Sequence, residues 1–366
     1  MSVADTKTIS FARGAPSLDI VDIEGLKSAA VKAFDADPGG VTGYGTSVGY
    51  VPLREWIAKK HGVHVDQVMV TNGSMQADAF LFDQLVKEDT PVIVERPTYD
   101  RTLLGLRARR GDLHPVTLDD DGLDVAELRA LLESGVRPAL AHIIPNFQNP
   151  AGVTLSMPKR QELLALAEEY GFVIFEDDPY HDVRFRGETL PRMLDMDGGK
   201  GNVVYASSFS KTICPGVRVG YLVGPAGLIA QICKAATNTY IAPNMVAQAI
   251  VHRFATSGAL DQSVKTVRFA LNERADALAA ALRKHLPDAK FTVPDGGYFL
   301  WVELGADIDV DELLHAAAAR HVAVVKGTDF LIEGGEGSLR LAYSAVKTED
   351  IDEGVKRLAE AVHAVR

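Results

Sequence analysis

The chain has 366 residues, of which 47% are hydrophobic and 24% are charged, and its formal net charge is −11 at pH 7. Its length predicts two domains, and its composition excludes collagen-like, disordered and mini-protein classes. The acidic balance argues against a nucleic-acid partner, and the only two cysteines, Cys214 and Cys233, exclude a cysteine-based zinc site and favour a reducing cytoplasm.

The N-terminal segment is predicted to be an arm of the folded protein and not a secretory leader peptide. The first twenty residues lack the basic start and apolar run of a secretory signal, and no window of the chain is apolar enough for a spanning helix. We therefore expect a soluble, cytoplasmic protein without a membrane partner. Residues 23–34 and 51–61 carry the start and stop signals of helices around a glycine-rich turn at 42–50. The arm is predicted over residues 1–45 and is expected to contribute to a small domain.

From residue 68 onward, short β-branched runs alternate with helix-length stretches. This alternation is typical of a parallel sheet that is covered by helices on both faces. It predicts a large α/β domain over residues 46–260. The predicted strands are 68–71, 91–95, 139–144, 172–177, 202–207 and 218–224.

After residue 224 the pattern changes to helices, including a long amphipathic stretch at 261–285 that could join two domains. Strands and helices are then mixed, which predicts a smaller α+β domain over residues 261–366. The strands are predicted at 291–293, 297–304, 322–325 and 338–344, and the helices at 309–320 and 348–363.

The ends of the first strands carry residues that could bind a ligand, because ligands of open parallel sheets bind beyond the carboxyl ends of the strands. The turn at 72–76 opens a helix whose N-terminus could hold an anion such as phosphate. Asn-Gly is also ordinary turn chemistry. Tyr99 and Asn149 follow the next two strands, and each fits either a site or a plain rim or turn position.

Two carboxylates and a lysine follow the later strands. Asp177 and Asp178 end a buried strand, where an ionised carboxyl group needs a cation or hydrogen-bond donors. Lys211 lies in a serine-rich turn after the next strand. It is either solvated or, together with Asp177, forms a site with a desolvated, nucleophilic amine.

Seven segments in order along the chain resemble one known family, the fold-type I pyridoxal-phosphate enzymes. Within them the chain is similar to the class I/II aminotransferases, in the group of the aminoadipate and kynurenine aminotransferases. The segments are FARGAPS (11–17), YGTSVGYVPLRE (44–55), PNFQNPAG (145–152), EDDPY (176–180), SSFSKTICPGVRVGY (207–221), PDGGYFLWVEL (294–304) and LRLAYS (339–344).

The resemblance implies an enzyme that uses pyridoxal 5′-phosphate to move an amino group between an L-amino acid and a 2-oxo acid in a ping-pong cycle. Lys211 would bind the cofactor as a Schiff base and act as the catalytic base. Asp177 would pair with the pyridine nitrogen. Asn149 and Tyr180 would hydrogen-bond the phenolic oxygen, and Tyr99 would stack on the ring.

The resemblance also implies how the two anionic groups are bound. The cofactor phosphate would lie on the backbone of Ser74, Met75 and Gln76, with donors from Ser208, Ser210 and Arg218. Tyr44 would reach the phosphate of a neighbouring subunit, so that a homodimer shares its active sites. Arg340 would bind the α-carboxylate of the substrate, with Asn149 beside it.

Two positions depart from the family pattern. Arg13 stands where related sequences commonly have glycine, and we expect it either to face an acidic or polar substrate side chain or to lie on the surface. Lys326 replaces a usual proline near the expected substrate pocket. The amino donor and acceptor are not identified, and no metal site is predicted.

Two other functions stay open. The same lysine and aspartate could support a lyase, cyclase or oxidase that acts on an amino acid. Alternatively, the chain could be an aminotransferase-like ligand sensor of the kind found in transcription regulators. The net charge of −11 argues against the sensor.

Overall fold

The computed structural model describes residues 7–305 and 307–366, which form thirteen strands and thirteen α-helices. The strands are β1 (Ile9–Ser10), β2 (Val68–Thr71), β3 (Pro91–Arg96), β4 (Asp112–Asp119), β5 (Gly122–Leu123), β6 (Leu140–Ile143), β7 (Val173–Asp177), β8 (Val203–Ser208), β9 (Gly220–Val223), β10 (Phe299–Glu303), β11 (Val322–Ala323), β12 (Val325–Lys326) and β13 (Ser338–Ala342). The helices are α1 (Ile23–Ala36), α2 (Pro38–Thr42), α3 (Val51–His61), α4 (Ser74–Leu85), α5 (Asp100–Ala108), α6 (Val125–Glu133), α7 (Met157–Tyr170), α8 (Met193–Met196), α9 (Ala226–Tyr240), α10 (Met245–Thr256), α11 (Ala259–His285), α12 (Val310–Ala319) and α13 (Thr348–Val365).

Eight strands form one large sheet in the order β2-β9-β8-β7-β6-β3-β4-β5. The five strands from β8 to β4 run parallel to one another, β9 runs antiparallel to both β8 and β2, and β5 runs antiparallel to β4. A loop over residues 209–219 joins β8 to β9 without an α-helix, which is possible because antiparallel strands need no crossover helix. The residues of β2, β6 and β8 are all buried, as expected for strands that are covered on both faces.

The predicted strands of this sheet agree with the observed ones to within two residues. The prediction missed β4, in which Pro115 and several polar side chains interrupt the apolar pattern. A proline is tolerated there because β4 pairs along its length with β3, while its other side pairs with β5 only at Leu118 and Asp119.

A smaller antiparallel sheet, in the order β10-β13-β12, follows the long helix α11. The predicted strand at 291–293 is wrong, since this region contributes only an isolated bridge between Lys290 and Glu303. The predicted helices at 23–34, 51–61, 261–285, 309–320 and 348–363 all form and agree to within two residues with α1, α3, α11, α12 and α13.

The N-terminal segment packs at two places. Strand β1 pairs in parallel with β11, and Phe11 is fully buried among residues of α11, α13 and the small sheet. Helix α1 instead packs on α10, with Ala29 and Ala33 in the same apolar cluster as Phe254. The division into residues 1–45, 46–260 and 261–366 stays a prediction. Residues 1–6 of the predicted arm and Ala306 lie outside the described residues.

One buried arginine fixes the turn that follows β6. Arg160 on α7 has no exposed surface, and its guanidinium donates to the carbonyls of Pro145, Leu155 and Pro191 and to Asn146 Oδ1. These four bonds hold the 145–155 turn, which carries Asn149, against the sheet.

In the part of the chain that the structure describes, no helix is both long and apolar enough to cross a membrane.

Candidate active site

A cavity of about 340 Å³ lies at the carboxyl ends of β2, β3, β6, β7 and β8. Its volume suits a small ligand. Of the fourteen residues singled out from the sequence, the structure brings twelve to this cavity: Arg13, Ser74, Met75, Tyr99, Asn149, Asp177, Tyr180, Ser208, Ser210, Lys211, Arg218 and Arg340.

Lys211 lies on the loop at 209–219 between β8 and β9. Its Nζ donates a 2.6 Å hydrogen bond to the Gly14 carbonyl and lies 5.0 Å from the ring centroid of Tyr298. The Tyr298 hydroxyl in turn donates to the Lys211 carbonyl at 2.6 Å, which fixes the main chain of the turn. Burial, with a further contribution from the Arg340 charge, lowers the pKa of Lys211 to about 8. Such an amine is partly neutral near pH 7 and can act as a nucleophile or a base.

Asp177 ends β7 and is only 5% exposed. Its Oδ2 lies 3.4 Å from Nε2 of His142, while its buried Oδ1 has no partner among the described residues. A buried carboxylate oxygen without a donor needs one. The protonated nitrogen of a pyridine ring in the cavity would supply that donor.

The N-terminus of α4 offers an anion site. No side chain caps this helix, so its first N–H groups are left for another acceptor. Gly73 precedes it with φ of +88°, and a Cβ at this position would lie 2.3 Å from Nη2 of Arg218. Only glycine therefore lets the Arg218 side chain approach the helix. Arg218 itself has a left-handed backbone with φ of +50°.

Two serines at and after the end of β8 line the same cavity. Ser208 Oγ donates to Ser210 Oγ at 2.9 Å and also accepts from the Ser210 N–H at 3.1 Å. Both hydroxyl groups line the cavity with Arg218. Hydroxyls, free helix N–H groups and a guanidinium are the donors that a phosphate dianion requires.

Arg340 on β13 projects into the same cavity from the small sheet. Its guanidinium donates 3.0 Å hydrogen bonds to Asn149 Oδ1 and the Ala12 carbonyl, which are both neutral acceptors, and its buried Nε has no partner among the described residues. Phe299 and Phe330 flank it at 4.3 and 4.7 Å. A buried cation held by neutral groups favours an anionic ligand such as a carboxylate.

Two tyrosines line the cavity between these groups. Tyr180 is buried, and its ring packs edge-on against Phe299. The Tyr99 hydroxyl lies 3.9 Å from the Met75 sulfur at the start of α4. Burial raises the pKa of both tyrosines, so both remain neutral hydrogen-bonding groups at pH 7.

Gln76 and Tyr44 are not brought to the cavity. The Gln76 N–H bonds the Gly73 carbonyl, and its side chain accepts from the Asn72 N–H, so this residue closes the turn before α4. Tyr44 is 92% exposed and lies away from the cavity lining. Lys326 also lies outside the lining and pairs with Asp311 at 2.8 Å.

Sequence reasoning missed several lining residues, among them Gly14, Asp100, Arg101 and Phe299. Asp100 and Arg101 directly follow Tyr99, so the strand-end argument could have included them. The strand-end argument could not have found Phe299 and Gly14. These two residues are linked only by their close packing in the fold, since a Cβ on Gly14 would lie 2.2 Å from the Phe299 ring.

Comparison with known proteins identifies the family. The family described as "Aminotransferase class I and II" matches residues 6–358. An aromatic-amino-acid aminotransferase of Thermococcus litoralis is 32% identical, over 98% of this chain and 89% of that protein. A 2-aminoadipate transaminase of Thermus thermophilus is 32% identical, over 97% of this chain and 90% of its own length. The crystal structure of an α-aminoadipate aminotransferase from T. thermophilus, complexed with N-(5′-phosphopyridoxyl)-L-leucine, superimposes with a TM-score of 0.93 at 31% identity, covering 98% of this chain and 92% of that one.

The chain therefore belongs to the class I and II aminotransferases. It is a pyridoxal-phosphate-dependent transaminase of fold type I, whose substrates are amino acids and 2-oxo acids. The predicted family, fold class, cofactor and enzyme class are confirmed.

The lowered pKa of Lys211 leads to a prediction about how covalent capture of the cofactor depends on pH. Cofactor-free protein should capture pyridoxal phosphate covalently at a rate that rises about tenfold per pH unit below pH 8 and levels off above it, because only the neutral amine attacks. Stopped-flow absorbance measures this rate. In Arg340→Met the second cause of the lowering is absent, so the midpoint should move to higher pH. A wild-type midpoint near the ordinary lysine pKa of 10.5 would contradict the assignment.

Proposed function

We propose that this chain transfers an amino group from an L-amino acid to a 2-oxo acid in a ping-pong cycle at the 340 Å³ cavity. One observation carries the proposal: Lys211 and Asp177 face the same cavity, between an uncapped helix N-terminus and the buried Arg340. This arrangement offers separate places for a phosphate, a pyridine ring and a substrate carboxylate.

The residues present fit the cofactor. Pyridoxal phosphate, when bound, supplies an aldehyde that captures amines and a ring that accepts electrons from the substrate α-carbon. We assign the aldehyde to Lys211 and the ring nitrogen to the unpartnered Oδ1 of Asp177. Asn149 and Tyr180 would donate to the phenolic oxygen, and Tyr99 would cover the ring. The phosphate would be bound by Ser74, Met75, Ser208, Ser210 and Arg218.

Lys211 also moves the proton of the reaction. Its lowered pKa leaves a useful fraction of neutral amine near pH 7, so Nζ can remove the proton from the substrate α-carbon. Nζ would pass this proton to the aldehyde carbon of the cofactor, and in the second half-reaction it would carry a proton in the opposite direction, to the α-carbon that derives from the 2-oxo acid. Arg340 and Asn149 would orient the α-carboxylate so that this carbon faces Nζ.

The residues at the mouth of the cavity bear on which substrate side chain this chain would prefer. Arg13 and Arg101 both line the cavity and are exposed, and Asp100 is the nearby carboxylate. Lys211, Arg218 and Arg340 are assigned to the cofactor and the α-carboxylate, so Arg13 and Arg101 are the basic lining residues left to face the substrate side chain, against the carboxylate of Asp100. This remaining positive charge favours acidic or polar donors. Because the similar proteins are named for aromatic amino acids and 2-aminoadipate, these donors should be tested first. A cytoplasmic location stays a prediction.

We also propose a homodimer with shared active sites. Tyr44 lies on the glycine-rich turn after α2, and its large ring is 92% exposed there. A second subunit would bury this ring and bring its hydroxyl to the phosphate of the partner's cavity. Gln76 keeps a predicted role at the phosphate only through its position in the first turn of α4.

The first test concerns Lys211. Wild-type protein should lose its bound-cofactor absorbance on mixing with a donor amino acid and recover it with a 2-oxo acid. Lys211→Ala should fold, bind the cofactor without a covalent bond and show essentially no transamination. Borohydride reduction followed by mass spectrometry reports the covalent bond. Residual activity in Lys211→Ala, or ammonia release from the wild type without any 2-oxo acid, would contradict transamination at this lysine.

The second prediction concerns Arg340. Arg340→Ala should weaken binding of the amino acid by about 2–5 kcal/mol, since a desolvated carboxylate loses its cation. Arg340→Lys keeps the charge but not the two-pronged geometry, and it should recover only part of the loss. Steady-state kinetics with a donor and its ester, which lacks the carboxylate charge, separate this effect from misfolding. Equal losses for the acid and the ester would exclude Arg340 as the carboxylate ligand.

The shared site can be tested by complementation. Tyr44→Ala should weaken cofactor binding by at least about tenfold, because a hydrogen bond to a charged group is lost. Mixed with Lys211→Ala and reassembled, the two variants should form hybrid dimers in which one site has both native residues. Random pairing then restores about a quarter of wild-type sites. No recovery on mixing would show that Tyr44 does not act across a dimer.

A further inference from the structure

A buried glutamine links the turn that carries Asn149 to the neighbouring strand of the large sheet. Gln148 is only 1% exposed, and both ends of its side-chain amide are bonded. Its Nε2 donates to Oε2 of Glu95 on β3 and to the Pro97 carbonyl, each at 2.9 Å. Its Oε1 accepts from the Ala151 N–H at 2.9 Å. One side chain therefore ties its own turn to the chain segment that leaves β3.

Glu95 completes this link from the strand. It is also buried, and the same Oε2 accepts from the Ile144 N–H at 3.2 Å, where the chain leaves β6. Burial raises the pKa of Glu95 to about 8, so the carboxyl group is mostly neutral at pH 7 and needs no cation in its buried place. The contact between Glu95 and Gln148 is therefore a hydrogen bond between neutral groups.

The turn also fixes where the two ends of the Asn149 amide point. The Gln148 N–H donates to the Val153 carbonyl at 2.9 Å, and the Gly152 N–H donates to the Gln148 carbonyl at 2.6 Å. Asn149 follows directly and is buried, and its Oδ1 accepts from Arg340. Because a guanidinium can only donate, the oxygen of the amide must face Arg340. The N–H donors of Nδ2 then point to the other side, into the cavity that Asn149 lines.

We propose that Gln148 and Glu95 are positioning residues of the transaminase that direct the amide of Asn149. Nδ2 then faces the phenolic oxygen of the cofactor, and Oδ1 faces Arg340. The inference rests on the role of Asn149 given under the proposed function. Arg160 secures the same turn near its two ends, whereas Gln148 and Glu95 secure its middle, next to Asn149. A group that must hold a fixed direction needs such support from the residues behind it.

The covalent link between Lys211 and the cofactor reports on this arrangement. A donor at the phenolic oxygen stabilises negative charge there, and so weakens the attraction of that oxygen for the proton on the linked nitrogen. Loss of the donor therefore raises the pKa of this nitrogen, which is measured from the absorbance of the holoenzyme against pH. In Asn149→Ala this pKa should rise by about one unit, the worth of one hydrogen bond to a charged group.

The main variant is Gln148→Met, which removes the amide with little change in volume. The pKa of the linked nitrogen should rise by at least about half as much as in Asn149→Ala, because the amide of Asn149 is no longer held in one direction. The double variant Asn149→Ala/Gln148→Met should match Asn149→Ala, since Gln148 acts through Asn149.

Three further variants complete the set. Glu95→Gln keeps a neutral acceptor for Gln148 and should match the wild type. Glu95→Leu lacks the acceptor, should raise the pKa as Gln148→Met does, and serves if that variant does not fold. Gln248→Met is the matched control and should match the wild type. Gln248 is also a buried glutamine whose Oε1 accepts from a backbone N–H, that of Tyr50, but it lies outside the cavity lining.

A wild-type pKa of the linked nitrogen in Gln148→Met and Glu95→Leu overturns the inference. An equal rise in Gln248→Met, or a larger rise in the double variant than in Asn149→Ala, also overturns it. Asn149→Ala separates the two levels of the argument. If this variant leaves the pKa unchanged, the assigned role of Asn149 fails and the positioning role fails with it. If it raises the pKa but the variants of Gln148 and Glu95 do not, only the positioning role is lost.

Discussion

The parallel pairing of β7 with β8 is the constraint on which the rest of the site depends. In this register Asp177 lies opposite Ala206, and the chain continues for only a few residues before the turn that carries Lys211. A carboxylate and an amine that are far apart in sequence therefore meet at one edge of the sheet. A slip of one residue would turn Asp177 to the other face of the sheet, because side chains alternate along a strand.

The charges of the cavity make sense together with this geometry. Lys211 and Arg340 are both cations in a poorly solvated place, and the charge of Arg340 contributes to the lowered pKa of Lys211. Burial is the larger cause of this lowering, and the repulsion by Arg340 adds to it, so that more of the lysine is neutral near pH 7. The same positive charge makes the cavity receptive to a carboxylate and a phosphate.

The sequence allowed much of this to be predicted, for definable reasons. Strand ends of a parallel sheet meet, so Asp177, Asn149 and Lys211 could be placed near one another from hydrophobic pattern alone, and the seven motifs added Arg340 from the distant small sheet. Strand β4 was missed because Pro115 and its polar residues hide the pattern. Tyr44 differs again, because its proposed contact requires a second subunit.

Phe299 shows how such a site can diverge. This ring touches the Gly14 backbone, flanks the Arg340 guanidinium at 4.3 Å and packs edge-on against Tyr180. A change of size at this position would disturb three neighbours at once, so packing constrains which substitutions the floor of the cavity can accept. The exposed arginines at the rim touch few such neighbours and can be exchanged singly. New substrate preferences in descendants of this enzyme should therefore arise at the entrance first, with the catalytic floor inherited intact.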